Sequence, residues 1–450
     1  MQMTTEGAAL FHATALTRRV KGNLWACLWG AACFMPNPSI SIGGGDYFRL
    51  QMWHCLAVLY VGVWASKIRG WAVVSWLMFL LPSIITGTYY FTAHTSSDPN
   101  MKLTGAWVVA TFPLLLSLCF CTPTRIHGLM DGMCTAILIH GLVSLVQVAT
   151  FASGAYPLWM LYPYIQSGTQ INSLSNYGGS QVRVFGLFNE PSDMTASLGH
   201  WILLLLAWRT GRFSLGNLGA CRRVFYSVTV VVGSLLMFYS LSGHLFAMAV
   251  GLLIVGASYV IKLGRARRLL HWVPVAAIVT LLFAGSVWFP LQMRSEASRR
   301  SSWTMRQKSL AQCFEIWWDA GGVKRVIGVG DDGGRILYEK TGYRVWSVGA
   351  KSLLGFGFLQ VLAWLGLLWI ALRSMRSSGS TAVGFAFLLV LMAGMLLTTA
   401  METLAALWMS LAVLVRWGPA FTARPSLRMA FYRGQFDILP SARQVRCPSR

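Results

Sequence analysis

The chain has 450 residues, of which 55% are hydrophobic and only 11% charged, with a formal net charge of +23. Soluble domains carry about 25% charged residues, so this composition excludes a soluble globular protein and predicts a chain that crosses a membrane many times. Its basic residues are scattered over short loops instead of forming one face, which argues against nucleic acid as a partner.

A membrane helix needs roughly 20 mostly apolar residues. About twelve runs meet that measure: 23–42, 50–66, 70–91, 104–121, 129–153, 192–208, 224–241, 243–261, 271–289, 349–372, 382–398 and 401–417. The last two are separated by almost nothing, and read either as a tight hairpin or as one broken helix. The first run follows a basic stretch but is long and lacks a small-x-small cleavage site before Pro36, so an uncleaved first span is expected.

Charge sets the orientation. With residues 1–22 (Arg18, Arg19, Lys21) in the cytoplasm, the even-numbered loops fall there too. They carry Lys67, Arg69, Arg125, Arg209, Arg212, Arg222, Arg223, Lys262, Arg265, Arg267, Arg268, Arg373 and Arg376. The basic tail, 418–450, is cytoplasmic in the same scheme, flexible or lying on the anionic inner leaflet. Short outer loops carry only Arg49 and Lys102. Two long loops, 154–191 and 290–348, fall outside. The second is basic (Arg294, Arg299, Arg300, Arg306, Lys308, Lys324, Arg325, Arg335, Lys340, Arg344), and long loops translocate regardless of charge, so its basicity has another cause. A loop held to lipid headgroups and an anion site both fit.

Most cysteines lie inside apolar runs, where they act as small hydrophobes; Cys313 alone occupies the large polar loop. No zinc motif, Walker-type loop or internal repeat is present, and no metal or cofactor is expected.

The polar residues concentrate in a few places. Arg183-Val-Phe-Gly186-Leu-Phe-Asn-Glu190-Pro191-Ser192 stands directly before an apolar run. Arg183 offers a planar fork suited to phosphate. Gly186 permits a turn or close approach, Pro191 suits the first helical turn, and Glu190 near that N-terminus is favoured as an anion. A helix-start signal beside a snorkelling Arg reads the same residues without chemistry. In the long loop, 303–318 sets Met305, Leu310, Cys313, Ile316 and Trp317 at mixed helical spacing, predicting a short surface helix. Gly328-Val-Gly330 follows, then Asp331 and Asp332, which read as a solvated turn. Ionisable residues within the apolar runs are His54, Asp131, His140, His200, His244 and Glu402. His140 and His200 read as satisfied core histidines, Asp131 as a boundary residue, and His244 as able to reach the outer side.

In this order and spacing, the chain resembles the O-antigen ligase/polymerase superfamily, and most of all the Wzy-type polymerases of exopolysaccharide pathways. The matching residues are Arg183–Ser192 opening a helix, Tyr239-Ser-Leu-Ser-Gly-His244 between two spans, Arg306, Gly328-Val-Gly330, and Leu353-Leu-Gly355-Phe-Gly357, over roughly residues 130–370. The resemblance implies an all-α, multi-span glycosyltransferase of the GT-C kind in the bacterial inner membrane, its polymerase domain over 23–417 and both long loops periplasmic. It implies a metal-independent transfer of a growing glycan from undecaprenyl diphosphate onto a lipid-linked repeat unit, with membrane lipid and a chain-length regulator as further partners. Fixed Arg charges can stabilise the leaving diphosphate, and an acceptor hydroxyl needs a base within hydrogen-bond reach. Arg183, Arg300 and Arg306 are the expected clamp and Glu190 the expected base. One departure stands out. Ligase-like members carry a His shortly before the Leu-Leu-Gly segment, whereas Tyr343-Arg344-Val-Trp-Ser-Val-Gly-Ala-Lys351 has none. Arg344 or Lys351 then turns to diphosphate, with Glu190 or His244 as base. A ligase moving finished glycan, and a multi-span transporter or flippase, are the alternatives. A transporter predicts matching halves with broken helices, and the sequence shows no clear halves.

Overall fold

The computed structural model describes residues 23–36, 39–41, 49–64, 68–93, 98–152, 186–188, 191–216, 218–240, 244–263, 296–342, 347–376, 380–397 and 405–421. These are mostly helical. In chain order they form α1 (Asn23–Phe34), α2 (Met52–Trp64), α3 (Gly70–Ala93), α4 (Asp98–Phe120), α5 (Ile126–Ala152), α6 (Pro191–Arg209), α7 (Ala220–Ser240) and α8 (His244–Leu263). There follow α9 (Glu296–Asp319), α10 (Gly322–Ile327), α11 (Asp331–Thr341), α12 (Val348–Arg376), α13 (Thr381–Leu397), α14 (Ala405–Val415) and α15 (Trp417–Phe421). Among the described residues, each apolar run expected from the sequence coincides with a helix over most of its length, and 271–289 lies outside them. Five helices (α3, α4, α5, α7 and α12) are long and apolar enough to cross a membrane; α1, α2, α8, α13 and α14 contain shorter apolar stretches.

The first run departs from expectation. Helix α1 stops at Phe34, and residues 39–41 (β1) pair antiparallel with 49–51 (β2), Ile40 opposite Leu50. Pro36 is the physical cause, because it lacks an N–H and disfavours the helical region for the residue before it. At ~1.5 Å per residue α1 is roughly 18 Å long, short of a hydrocarbon core of about 30 Å.

The core is built around α14, every residue of which is buried. Trp408 packs against Phe79 of α3, Trp107 of α4 and Trp364 of α12, with ring centroids 5.8, 5.7 and 5.6 Å away. On its other side Ser410 accepts Trp201 Nε1–H of α6 at 2.8 Å and sits 2.6 Å from His200 Nε2, while its hydroxyl donates to the Ala406 carbonyl. One short helix thus ties α3, α4 and α12 to α6. Helices α13 and α14 touch, and Trp417 just after α14 meets Ser380 just before α13 at 3.0 Å, so the two run antiparallel, which answers the sequence ambiguity in favour of a hairpin. Small residues set another close approach: an added Cβ at Gly132 would overlap the Cys27 carbonyl, so α1 and α5 meet backbone to backbone.

Helix ends sort into two sets. At one end, Arg222 Nε and Nη2 fork onto the Asp131 carboxylate at 3.0 and 2.6 Å, and Tyr226 Oη donates to the same group at 2.8 Å. There too Arg416 lies over the Trp71 ring at 4.6 Å, and Trp417 Nε1 reaches Ser380 Oγ at 3.0 Å. At the other end α3 finishes, α4 begins, and the segments carrying the sequence motifs are seated. The first set holds Arg69, Arg125, Arg222, Arg373 and Arg416, the arginines that the charge pattern groups together.

Candidate functional site

At the motif-bearing end, two segments dock on the bundle through their backbones. The first is the described part of the Arg183–Ser192 stretch. Gly186 N–H donates to Gln147 Oε1 at 3.2 Å, Gln147 Nε2 returns a bond to the Gly186 carbonyl at 3.0 Å, and Leu187 N–H donates to His140 Nδ1 at 3.0 Å. Phe188 is fully buried and stacks on the His140 ring at 4.7 Å. Since Nδ1 accepts, the proton of the neutral ring is on Nε2, which meets the Phe34 carbonyl at 2.7 Å. His140 is therefore a satisfied core histidine, as the sequence suggested, and it joins α1, α5 and the motif. Gly186 has φ 55, and a Cβ there would stand 2.6 Å from His140 Nδ1. Both the backbone angle and the close approach require glycine.

Pro191 opens α6, matching the expected helix start. One turn in lies a residue that the sequence reading passed over. Asp193 is only 3% exposed, in the first turn of α6. Ser197 and His200, at i+4 and i+7 from it, are also buried on the same face. A polar line thus runs from the motif to Ser410 at the core. A carboxylate in a first turn is favoured by the helix dipole, so its position alone gives it a structural reason. Its burial in a bundle of apolar helices makes it a functional candidate.

The second segment is Gly328-Val-Gly330. Val329 N–H donates to the Leu354 carbonyl at 2.8 Å and Gly330 N–H to the Gly355 carbonyl at 3.2 Å. Tyr90 Oη donates to the Gly328 carbonyl at 3.0 Å, and Thr86 Oγ1 bonds the Ile327 carbonyl. The partner, α12, is broken: Gly357 has φ 69 and ψ −162 inside it. Ser352 before the break lies 3.3 Å from Trp364 Nε1 after it, although residues 12 apart in an intact helix are separated by roughly 18 Å. A Cβ at Gly328 would overlap the Gly355 carbonyl, and one at Gly357 would overlap Gly328 N and the Val326 carbonyl. The two glycine motifs are each other's partner. Below them Cys313, Ile316, Val329, Leu337, Ala350 and Leu354 form a second, small core. Burial pushes the Cys313 thiol up to about 11, against a smaller lowering by Ser309, which leaves it protonated and packed as a hydrophobe.

The residues singled out from sequence fare differently. Arg183, Glu190 and Arg344 lie outside the described residues. Arg300 and Arg306 fall within α9 and His244 at the start of α8, with their side chains outside the described set. Lys351 is in the first turn of α12, half-buried, and its charge acts on Asp331. Partial burial, then Asp332, raise the Asp331 carboxyl above its ordinary value, while Lys351 and Arg335 oppose them. Asp331 and Asp332 are not a loose turn: they form the first turn of α11, where the dipole favours them, and Asp332 reaches Arg335 at 3.3 Å. Leu310 faces away from the small core that holds Cys313 and Ile316. His200 is a core residue, Asp131 is paired with Arg222, and His54 Nδ1 accepts Gln51 N–H at 2.9 Å; Glu402 lies outside the described residues.

No family model, curated protein or solved structure matches the chain. What the described residues define is an all-α membrane protein, with motif-bearing segments clasped by backbone hydrogen bonds at one end of its bundle and paired or stacked arginines at the other.

Proposed function

We propose that the protein is a Wzy-type polysaccharide polymerase: a metal-independent, GT-C-like membrane glycosyltransferase of about twelve spans in the bacterial inner membrane, with both termini cytoplasmic and the loops 154–191 and 290–348 periplasmic. Its donor is a growing glycan on undecaprenyl diphosphate, and its acceptor a hydroxyl of a second lipid-linked repeat unit. One observation carries most of the weight. Gly328-Val-Gly330 and Leu353–Gly357, which the resemblance supplies as separate motifs, are packing partners at the end of the bundle where the Gly186 segment also docks. Such mutual dependence supports reading the motifs as one constellation.

In this mechanism Arg183, Arg300 and Arg306 hold the diphosphates, with Arg344 and Lys351 beside them, so fixed positive charge meets the negative charge that develops on the leaving group. Glu190 orients or deprotonates the acceptor hydroxyl, and His244 is the other base of the reading. The buried Asp193, next in the chain to the motif, joins them as a third carboxylate or imidazole to test. Arg183→Ala and Glu190→Gln, expressed at normal levels, should abolish long polymer and leave single repeat units on the lipid carrier. Undiminished long polymer in both variants sinks the site, and free lipid-linked polymer in a deletion strain points to the ligase reading instead.

A further inference from the structure

Helix α9 has two unlike faces. Ser309, Cys313 and Ile316 are buried against α11 and α12, at helical spacing. The adjacent stripe, Leu310, Phe314 and Trp318, is 55, 53 and 52% exposed, and the following α10 adds Val323 and Val326 at 57 and 44%. Exposed apolar residues on this scale, gathered on one side of two consecutive helices, mark an interaction surface. The surface is ordered within itself. Phe314 and Trp318 stack with an interplanar angle of 11°, the Arg325 guanidinium lies over the Trp318 ring at 4.5 Å, and Arg325 Nε donates to the Trp318 carbonyl at 2.6 Å.

Its place in the fold indicates what covers it. The end of α10 is bonded to α3 through Thr86 and Tyr90. Thr86 stands two helical turns before the outer end of α3 at Ala93, about 10 Å along the axis. Helix α3 is long and apolar enough to span, and it exposes Leu81, Ile84, Ile85 and Phe91 over the same turns. The apolar face of α9 and α10 is therefore attached at the depth where a bilayer passes from acyl chains to headgroups. Amphipathic helices bury their apolar face about 5–10 Å into that boundary. Trp and Arg suit it, the ring sitting at headgroup level and the guanidinium meeting phosphate. Helix α9 carries Arg299, Arg300, Arg306 and Lys308 against Glu296, Glu315 and Asp319, and α10 adds Lys324 and Arg325, a net positive balance matched to anionic lipid.

We infer that α9 and α10 form an interfacial membrane seat: Leu310, Phe314, Trp318, Val323 and Val326 insert into the outer leaflet beside α3. The seat holds the Gly328–Gly330 clasp at the level of the lipid headgroups. The inference rests on the membrane reading of α3 and, for the choice of leaflet, on the orientation proposed above, and is independent of any glycosyl transfer. The aliphatic share of the stripe favours lipid over a sugar, whose aromatic platforms are ringed by polar groups.

The test uses the full chain in vesicles of phosphatidylethanolamine and phosphatidylglycerol containing a phospholipid with a photoactivatable diazirine on its acyl chain. Peptides covering 310–326 should be labelled alongside the exposed face of α3, whereas Tyr338 of α11, equally open at 56%, should not. In the same vesicles Phe314 and Trp318 should resist hydroxyl-radical oxidation. A double variant, Phe314→Glu with Trp318→Glu, should lose labelling in 310–326 and keep it on α3, and that retained signal reports an intact bundle. Labelling confined to α3 in the native chain overturns the seat. So does oxidation of Trp318 that is blocked only when free oligosaccharide is added, which would assign the face to glycan.

Discussion

The two ends of the bundle are held by different physics. At the basic end, Asp131 is satisfied by side chains: the Arg222 fork at 3.0 and 2.6 Å and the Tyr226 hydroxyl at 2.8 Å. At the motif end, the join is made largely by peptide groups, with Val329 and Gly330 donating to the broken stretch of α12. A charge clamp depends on chemistry and tolerates any shape that reaches. A backbone clasp depends on shape, because one Cβ in the wrong place separates the two chains. The clasp therefore leaves the side chains of its own segment free of the task of holding it, which is what a site built from loop residues needs.

The largest effect is expected from Gly357→Val, at the backbone clasp. It adds a β-branched residue at φ 69 and an overlap with Val326 and Gly328. Strain and overpacking together should cost about 3 kcal/mol or more, read as a lower thermal midpoint in detergent and as fast proteolysis within 310–346. A change below about 1 kcal/mol would mean that the clasp does not hold this end. Next comes Arg222→Ala, which leaves the Asp131 carboxylate without its cation. With side chains 39 and 23% exposed, the pair is partly screened, and the expected cost is about 1–2 kcal/mol. Asp131→Asn added to Arg222→Ala should recover part of the loss; strict additivity in the double-mutant cycle would show that the fork is ornamental. The smallest effect is expected from Arg335→Ala. Its contacts to Asp332 and Glu339 are open to solvent, so stability should move by no more than about 0.5 kcal/mol at any ionic strength. A larger loss would show that side chains share in holding the motif end.

Much of the helical plan was legible. Apolar length located the bundle helices, since a run of about 20 apolar residues satisfies its backbone in lipid as a helix, whereas a barrel strand needs only about 10. The grouping of arginines at one set of helix ends followed from loop charge, and the structure gathers Arg222, Arg373 and Arg416 accordingly. Other features were visible as motifs without a purpose. Gly328-Val-Gly330 and Gly355-Phe-Gly357 stand in the sequence only as separate motifs of the resemblance, because nothing local indicates that each glycine exists to admit the other's backbone. Asp193 was hidden by its position: an acid in the first turn of a helix has a sufficient local reason, and burial is not local. The first span was read too long across Pro36 and Pro38, where hydropathy outweighed the proline rule. On α9, spacing predicted a helix but could not choose between adjacent stripes, so Leu310 was grouped with Cys313 although only Cys313 faces the small core.

Composition and charge suffice to show that this is a helical membrane protein, which ends of its helices share positive charge, and where its polar motifs stand. These follow from hydrophobic length and from charge, both properties of contiguous residues. The tertiary structure decided that α14 is the hub, that α12 breaks at Gly357 to receive Gly328, that His140 carries the Gly186 turn, and that one stripe of α9 is left uncovered. Each of these depends on two segments far apart in the chain meeting at a particular distance, and an excluded volume or a hydrogen bond between distant residues leaves no periodic trace in either one.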